Sequence, residues 1–104
     1  MRWGLAGPHS YIYGIKIKTY EVTINKAAYQ FAESLGYDIS DDGMGGSVTF
    51  MKPGATIDDS IEWHRSYQET CVLNWASDEV KADAELIDTH MKPIIEQYNN
   101  QYSN

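Results

Sequence analysis

The chain has 104 residues, of which 42% are hydrophobic and 12% aromatic, which predicts one domain with a core that buries roughly two-thirds of the unfolded surface. The formal net charge of −7 argues against direct nucleic-acid binding, because such binding depends on neutralising phosphates with cationic side chains. The single cysteine, Cys71, cannot form an intramolecular disulfide, and the sequence has neither a run of ~20 apolar residues nor an apolar signal segment, so we expect a cytoplasmic protein without membrane contact.

The N-terminal part of the chain predicts an irregular arm followed by a strand. Residues 1–10 contain two glycines and a proline, which favours irregular structure. Tyr11–Ile24 (YIYGIKIKTYEVTI) is the longest run of β-favouring residues. Its apolar side chains occupy odd positions up to Ile17 and even positions from Tyr20. Because side chains alternate between the faces of a strand, this change of phase predicts a bend near Lys18, or two strands that meet there.

A helix is predicted after this strand. Asn25 is a suitable N-cap, and the segment that follows is KAAYQFAESLG. Apolar residues recur in it at helical spacing, namely Ala28, Phe31, Ala32 and Leu35. Gly36 is a typical residue at which such a helix ends.

A loop, a strand and a turn come next. Residues 38–46 (DISDDGMGG) predict a flexible loop of the hairpin type. Ser47–Lys52 predicts a strand with Val48 and Phe50 on one face. Pro53–Gly54 fits the central pair of a type II turn, because proline fixes the first φ and glycine accepts the positive second one.

Residues 56–75 predict a second helix. Thr56 and Asp59 have the spacing of a capping box, and Glu62 precedes Arg65 by three positions, which favours an ion pair on a helix. The residues that would share one helical face are Ile61, His64, Gln68, Cys71, Val72 and Trp75. The end of this segment, Thr70–Trp75, is also compatible with a strand, and the sequence leaves these alternatives open.

The last predicted element is a helix that begins after Ser77. Two acids occupy its first turn, where the helix dipole favours them. Its apolar residues recur at steps of three and four, namely Val80, Ala84, Ile87, Met91, Ile94 or Ile95, and Tyr98. Pro93 should kink the helix near Thr89–His90, and residues 99–104 should fray.

These elements predict an α+β fold. We expect residues 1–104 to form a small single domain of order roughly β(bent)–α–β–α–α, with a short antiparallel sheet packed on helices. The residues expected to be mostly buried are Phe31, Leu35, Phe50, Ile61, Val72, Ile87 and Met91.

Residues capable of catalysis or metal binding do not form a recognisable motif. His9, His64 and His90 are more than five residues from one another and from Cys71, so no metal-site spacing is present. The apolar neighbours of Cys71 favour a buried, inert thiol. The glycine-rich stretch 41–46 precedes a strand instead of a helix, and it lacks the ligand pattern of a calcium loop. We therefore expect no catalytic residue, metal or cofactor, and an enzyme that uses His64 or His9 is the least favoured interpretation.

Charge is distributed unevenly along the chain. Residues 1–30 carry four basic side chains and one acid, whereas residues 31–104 carry four basic side chains and fourteen acids. The first third could therefore hold a small anion. An alternative is that its lysines keep the exposed face of an outer strand soluble.

Aromatic side chains accompany the positive charge of the N-terminal segment. The residues that we predict to bind a ligand are Trp3, His9, Tyr11, Tyr13, Lys16 and Lys18. Aromatic rings stack on bases or sugars while cations neutralise phosphate, although the tyrosines could instead pack in the core or in an interface. In a regular strand the two tyrosines and the two lysines lie on opposite faces. A shared ligand would therefore need the bend, the irregular arm or a second subunit.

Two hypotheses of function follow. The first is a non-catalytic, oligomeric protein that captures a small anionic ligand, such as a nucleotide, with its N-terminal segment. The second is an acidic protein-interaction module, or an inhibitor of a basic, nucleic-acid-binding partner protein. Self-association is expected because a monomer has little surface on which to bury Trp3, Tyr98 and Tyr102. The chain is similar in its small size, acidity and lack of a catalytic signature to accessory proteins such as phage-encoded inhibitors and ligand-sequestering proteins. No sequence motif supports this general similarity.

Overall fold

The computed structural model describes residues 23–41, 43 and 46–102. This part of the chain forms two helices and a four-stranded antiparallel sheet, which confirms the predicted α+β class. The elements are α1 over residues 23–34, β1 over Asp38–Ser40, β2 over Ser47–Met51, β3 over Ile61–His64, β4 over Glu69–Cys71 and α2 over Asp78–Tyr102, with a 3-10 turn over Ile57–Asp59 between β2 and β3.

The predicted boundary between the first strand and the helix α1 is wrong. The arm 1–10 and most of the strand Tyr11–Ile24 lie outside the described residues, but the last two residues of that strand are helical. Ile24 is fully buried and stands four residues before the buried Ala28, so it belongs to the apolar face of the helix. Asn25 lies inside α1 instead of capping it, and its Oδ1 accepts a hydrogen bond from Trp63 Nε1 at 2.9 Å.

The end of α1 is as predicted. Gly36 takes the left-handed conformation with φ +97°, in which a side chain would be strained. The Tyr37 N–H donates to the carbonyl of Ala32 at 3.1 Å, which satisfies one of the last helical carbonyls. The chain then enters β1, where the sequence had predicted only a loop.

The sheet has the strand order β1-β2-β3-β4. The predicted strand β2 is confirmed, and Val48 and Phe50 both point into the core. The predicted turn after it is confirmed as well, since Gly54 has φ +83° and the Ala55 N–H donates to the Lys52 carbonyl at 3.0 Å.

The second predicted helix is wrong, because residues 61–71 form the β3–β4 hairpin. Ile61 and Trp63 are buried while Glu62 is exposed, so the side chains follow the two-residue period of a strand. A helix built on the predicted face would have left Trp63 off its apolar side. Thr56 makes no side-chain capping hydrogen bond, and the helical turn that follows it ends at Asp59. Thr70 and Cys71 belong to β4, which resolves the open alternative in favour of a strand there.

Helix α2 begins where the sequence predicted. The Val80 N–H donates to Ser77 Oγ at 3.2 Å, which confirms Ser77 as the N-cap. The helix spans 25 residues, contains Pro93 and continues to Tyr102. Residues 99–102 of the segment expected to fray are therefore helical.

One apolar cluster joins the inner face of the sheet to both helices. Its largest fully buried side chains are Trp63, Phe50, Ile24, Ile61, Ile87, Met91 and Val48. Four of the residues expected to be buried belong to the cluster, namely Phe50, Ile61, Ile87 and Met91, whereas Phe31, Leu35 and Val72 are half-buried and pack against it. The predicted faces of α1 and α2 are therefore confirmed.

A hydrogen-bonded cluster connects the residue before β1 and the residue after β2 to the first turns of α2. The hydroxyl of Tyr37, a residue only 2% exposed, donates to Asp83 Oδ2 at 2.6 Å. Lys52 Nζ lies 5.1 Å from the centre of the Tyr37 ring, and 2.8 and 3.6 Å from carboxylate oxygens of Glu79 and Asp83. Burial, followed by the hydrogen bond to Asp83, raises the pKa of Tyr37 above its ordinary value.

Core packing predicts a large effect of truncating Phe50. Phe50→Ala should lower the free energy of unfolding by about 3–5 kcal/mol, because a fully buried ring is replaced by a cavity. Leu86→Ala is the matched control and should change it by less than about 0.5 kcal/mol, since this side chain is 50% exposed on α2. Urea denaturation followed by circular dichroism gives both values. A loss below about 1 kcal/mol for Phe50→Ala would contradict the packing described here.

Tyr37 predicts a loss of stability at alkaline pH. Its pKa is raised in the folded state, so its contribution is complete below the ordinary tyrosine pKa of about 10 and is lost as the pH rises through the folded value. Between pH ~9 and ~11 the wild type should therefore lose more unfolding free energy than Tyr37→Phe does. At these pH values Tyr37 should add less tyrosinate absorbance to the folded wild type than an exposed tyrosine would, because its pKa is raised. Equal pH slopes of stability would show that Tyr37 titrates normally.

Candidate functional site

The predicted ligand-binding residues lie outside the part of the chain that the structure describes. They are Trp3, His9, Tyr11, Tyr13, Lys16 and Lys18. The hypothesis of a small-anion site in the N-terminal segment therefore stays a prediction. Of the side chains expected to mediate self-association, Tyr98 is half-buried and packs against the core cluster of its own chain.

Large apolar side chains are exposed at several places in the described part of the chain. They are Ile57, Tyr67, Leu73, Trp75 and Leu86, with exposed fractions between 41% and 78%. Two of them, Ile57 and Leu73, line the same pocket. Trp75 follows Leu73 by two residues in the connection 72–77 between β4 and α2 and is 69% exposed.

This pocket, which we call the hairpin pocket, lies where β3 begins and β4 ends. It has a volume of about 130 Å³ and is lined by Ile57, Asp58, Ser60, Glu62, Cys71, Val72 and Leu73. The 3-10 turn supplies one wall and the start of the connection 72–77 supplies the other. Between them, Glu62 and Cys71 are directly opposed in the antiparallel register of β3 and β4. The pocket therefore combines aliphatic side chains with two carboxylates.

Short hydrogen bonds fix the wall formed by the 3-10 turn. Ser60 is 7% exposed, and its Oγ donates to the Ile57 carbonyl at 2.7 Å. The Asp59 N–H donates to the Thr56 carbonyl at 2.9 Å. These bonds satisfy the backbone of the turn locally, so the Ile57 side chain is held at the surface by a defined backbone.

The opposite wall is held by three further hydrogen bonds. Asp59 Oδ1 accepts from the Ser77 N–H at 2.7 Å and so connects the 3-10 turn to the start of α2. The Ala76 N–H donates to the Leu73 carbonyl at 3.0 Å. Lys81 Nζ donates to the Asn74 carbonyl at 2.6 Å. Leu73 and Trp75 are therefore exposed on a connection whose backbone is fixed at both ends.

The acidic residues of the pocket have no cationic partner within the described residues. Arg65, which the sequence placed beside Glu62, instead forms a salt bridge with Asp41 at 3.3 Å. The predicted pair is wrong because Glu62 lies in a strand and not in a helix, where residues three apart would be neighbours. Neither Asp58 nor Glu62 forms a salt bridge with any described residue, and both are exposed.

Cys71 is exposed, so the prediction of a buried thiol is wrong. Thr70, its neighbour in β4, lies opposite the buried Trp63, and Cys71 consequently faces the other side of the sheet. His64 is half-buried next to the Tyr67 ring, with 6.2 Å between ring centres. His90 is exposed and its ring stacks on that of Phe31, with 3.9 Å between ring centres.

Within residues 23–41, 43 and 46–102, no group of three or more His, Cys, Asp or Glu side chains could hold a metal ion. In the same residues, neither helix has the length and apolar content that a bilayer span requires. No protein-family model, no curated protein and no solved structure matches this chain.

Sequence reasoning missed the hairpin pocket because its residues were assigned to one helix. The alternation in Ile61–His64 was the signal that could have revealed the hairpin. No local signal indicates that Ile57 and Leu73, 16 positions apart in the numbering, line one pocket. That proximity depends on the strand register and on the bond between Asp59 and Ser77.

Removing the Asp59 carboxylate should loosen the pocket walls. In Asp59→Ala the Ser77 N–H loses its acceptor, so the free energy of unfolding should fall by about 1 kcal/mol, and hydrogen exchange at the Ser77 amide should accelerate. Asp58→Ala is the matched control, since Asp58 accepts no hydrogen bond from a described residue. NMR-detected exchange measures both variants, and equal exchange at Ser77 would show that the bond does not hold the connection.

Proposed function

We propose that this protein acts by binding a basic partner protein through the hairpin pocket and Trp75. The observation that carries the proposal is the combination, at one pocket, of exposed aliphatic side chains on a fixed backbone with two carboxylates that form no salt bridge with a described residue. This corresponds to the acidic protein-interaction module that was the second of our two sequence hypotheses.

The exposed apolar groups support a protein partner. Apolar surface with a polar rim is typical of protein interaction sites, and tryptophan is enriched among residues that dominate binding energy. Leu73 and Trp75 lie on a connection fixed by hydrogen bonds to Asp59 and Lys81. Binding would therefore require little ordering of this segment, which lowers the entropic cost of association.

The charge supports a basic partner. Residues 31–104 carry fourteen acids against four basic side chains, and the two acids of the pocket are not neutralised by a described residue. Complementary charge accelerates association and disfavours acidic competitors. A second copy of this chain, with the same net charge of −7, would meet repulsion at this surface.

The size of the pocket argues against a small-molecule site. Its volume of about 130 Å³ is well below the ~300–1,000 Å³ of typical ligand pockets. A nucleotide would not be enclosed there, and the two carboxylates would repel its phosphates. The pocket is suited to part of a larger partner.

A partner-capture experiment tests this proposal. Tagged wild type, the double variant Leu73→Ser/Trp75→Ala and the control Leu86→Ser are cross-linked in the source cells, and recovered proteins are quantified by mass spectrometry. A basic protein should be recovered with wild type and control and be lost with the double variant. With that partner purified, the double variant should bind at least ~30-fold more weakly, and binding should weaken with added salt. Unchanged binding of the double variant would refute the proposal.

The N-terminal segment supports a second candidate function, capture of a small anionic ligand by an oligomer. The sequence observation behind it is the proximity of Tyr11 and Tyr13 to Lys16 and Lys18. Native mass spectrometry of protein purified from cells would give the oligomer mass and any retained ligand together. In calorimetric titrations with nucleotides, Tyr11→Ala should lose about 1–3 kcal/mol of binding free energy, and Lys16→Ala should weaken binding more at low salt than at high salt.

Tyr67→Ala is the control for those titrations, because this exposed tyrosine lies in the β3–β4 turn. A monomer at ~100 μM that retains no ligand and binds no nucleotide would eliminate this second candidate. That result would leave the partner-protein proposal unaffected, since the two use different residues.

A further inference from the structure

We infer that the hairpin pocket receives one medium-sized apolar side chain, of leucine or phenylalanine size, from a partner segment in which lysine or arginine flanks that residue. This inference rests on the proposed function and specifies what the pocket recognises. The inference rests on the volume of the pocket, on the position of its two carboxylates and on the hydrogen bond that already occupies the neighbouring edge strand β4.

The volume limits the occupant to a single side chain. A cavity of ~150 Å³ with an apolar lining is large enough for a benzene molecule, and the hairpin pocket measures about 130 Å³. Its apolar contacts come from Ile57, Val72 and Leu73. Burial of a leucine side chain against these residues removes three more carbons from water than burial of an alanine methyl, each worth a several-fold gain in affinity.

The two carboxylates select the neighbours of that side chain. Asp58 and Glu62 line the pocket, one on the 3-10 turn and the other on β3. Lysine and arginine have long stems that reach such a rim while their charged ends stay hydrated. Acidic neighbours would meet repulsion from both walls, so the same charges that favour a basic segment exclude an acidic one.

The sheet edge beside the pocket indicates recognition by side chains. Partner segments often add to a sheet by pairing with the backbone of an edge strand. In β4, however, the Thr70 N–H donates to Asp88 Oδ1 at 2.9 Å and the Thr70 hydroxyl donates to Asp88 Oδ2 at 2.6 Å. Because Asp88 of α2 already occupies this donor, a partner strand would have to displace the carboxylate in order to pair there, which favours recognition through the pocket.

Cys71 provides a direct measure of occupancy. It is the single cysteine of the chain, it is exposed and it lines the pocket. A side chain seated in the pocket would shield the thiol from iodoacetamide. The rate of alkylation should therefore fall by half when the concentration of free peptide equals its dissociation constant. The amide NMR signal of Leu73 gives an independent reading of the same site.

The test uses three capped pentapeptides on the full chain, with central sequences Lys-Leu-Lys, Lys-Ala-Lys and Glu-Leu-Glu between glycines. The Lys-Leu-Lys peptide should protect Cys71 and shift the Leu73 amide with an affinity at least ~10-fold higher than that of Lys-Ala-Lys. The Glu-Leu-Glu peptide should bind more weakly than Lys-Leu-Lys, because both carboxylates of the pocket repel it. Leu73→Ser should abolish the preference for leucine, and the double variant Asp58→Asn/Glu62→Gln should abolish the preference for lysine. Leu86→Ser, the control, should change neither.

The results separate this inference from the proposal on which it rests. Equal affinities for the leucine and alanine peptides, or no protection of Cys71 at ~5 mM peptide, would overturn the inference. If Leu73→Ser/Trp75→Ala nevertheless lost the captured basic partner, the proposed function would stand, with recognition by a broader surface. If both experiments failed, the pocket would have no role in binding.

Discussion

The burial of Trp63 is the constraint on which much of this structure depends. Its indole is fully buried in β3 and donates a hydrogen bond to Asn25 of α1 at 2.9 Å. A buried indole N–H without an acceptor would cost about 1–3 kcal/mol, so α1 and β3 can approach only in the arrangement that satisfies it. Because strand side chains alternate, fixing Trp63 inward also fixes Glu62 outward. The core and the candidate site are thus two faces of one strand.

The register of the hairpin carries this constraint to the neighbouring strand. Trp63 lies opposite Thr70, and Glu62 lies opposite Cys71, so a slip by one residue would bury the acid and expose the indole. Asp59 then places the connection 72–77 beside the 3-10 turn through its bond to Ser77. The hairpin pocket therefore depends on two arrangements at the same corner of the sheet. One is the register of β3 and β4, and the other is the charge-assisted hydrogen bond between the Ser77 N–H and Asp59.

Elements with strong local signals were predictable from the sequence, and those with competing signals were not. Gly36 and Ser77 mark the end of α1 and the start of α2, because φ > 0 and N-capping are properties of single residues. The β3–β4 hairpin was mistaken for a helix, because a capping-box spacing at Thr56 precedes a mixed set of residues at steps of three and four, which begins Ile61, His64, Gln68 and Cys71. The contacts that decide between a helix and a hairpin here join residues distant in the chain, above all Trp63 and Asn25. The hairpin pocket depends on such long-range contacts as well, so no local pattern predicts it.

The bond pair between Thr70 and Asp88 also bears on how the protein behaves at high concentration. An edge strand with unpaired N–H groups is a template on which other chains can polymerise. At β4 that template is blocked by a carboxylate, which a growing fibril would have to strip of its hydrogen bonds and transfer into a dry interface. The cost of burying such an unpaired charge is several kcal/mol. A single aspartate on α2 therefore makes strand addition at the β4 edge costly, while the apolar side chains of the adjacent connection stay exposed.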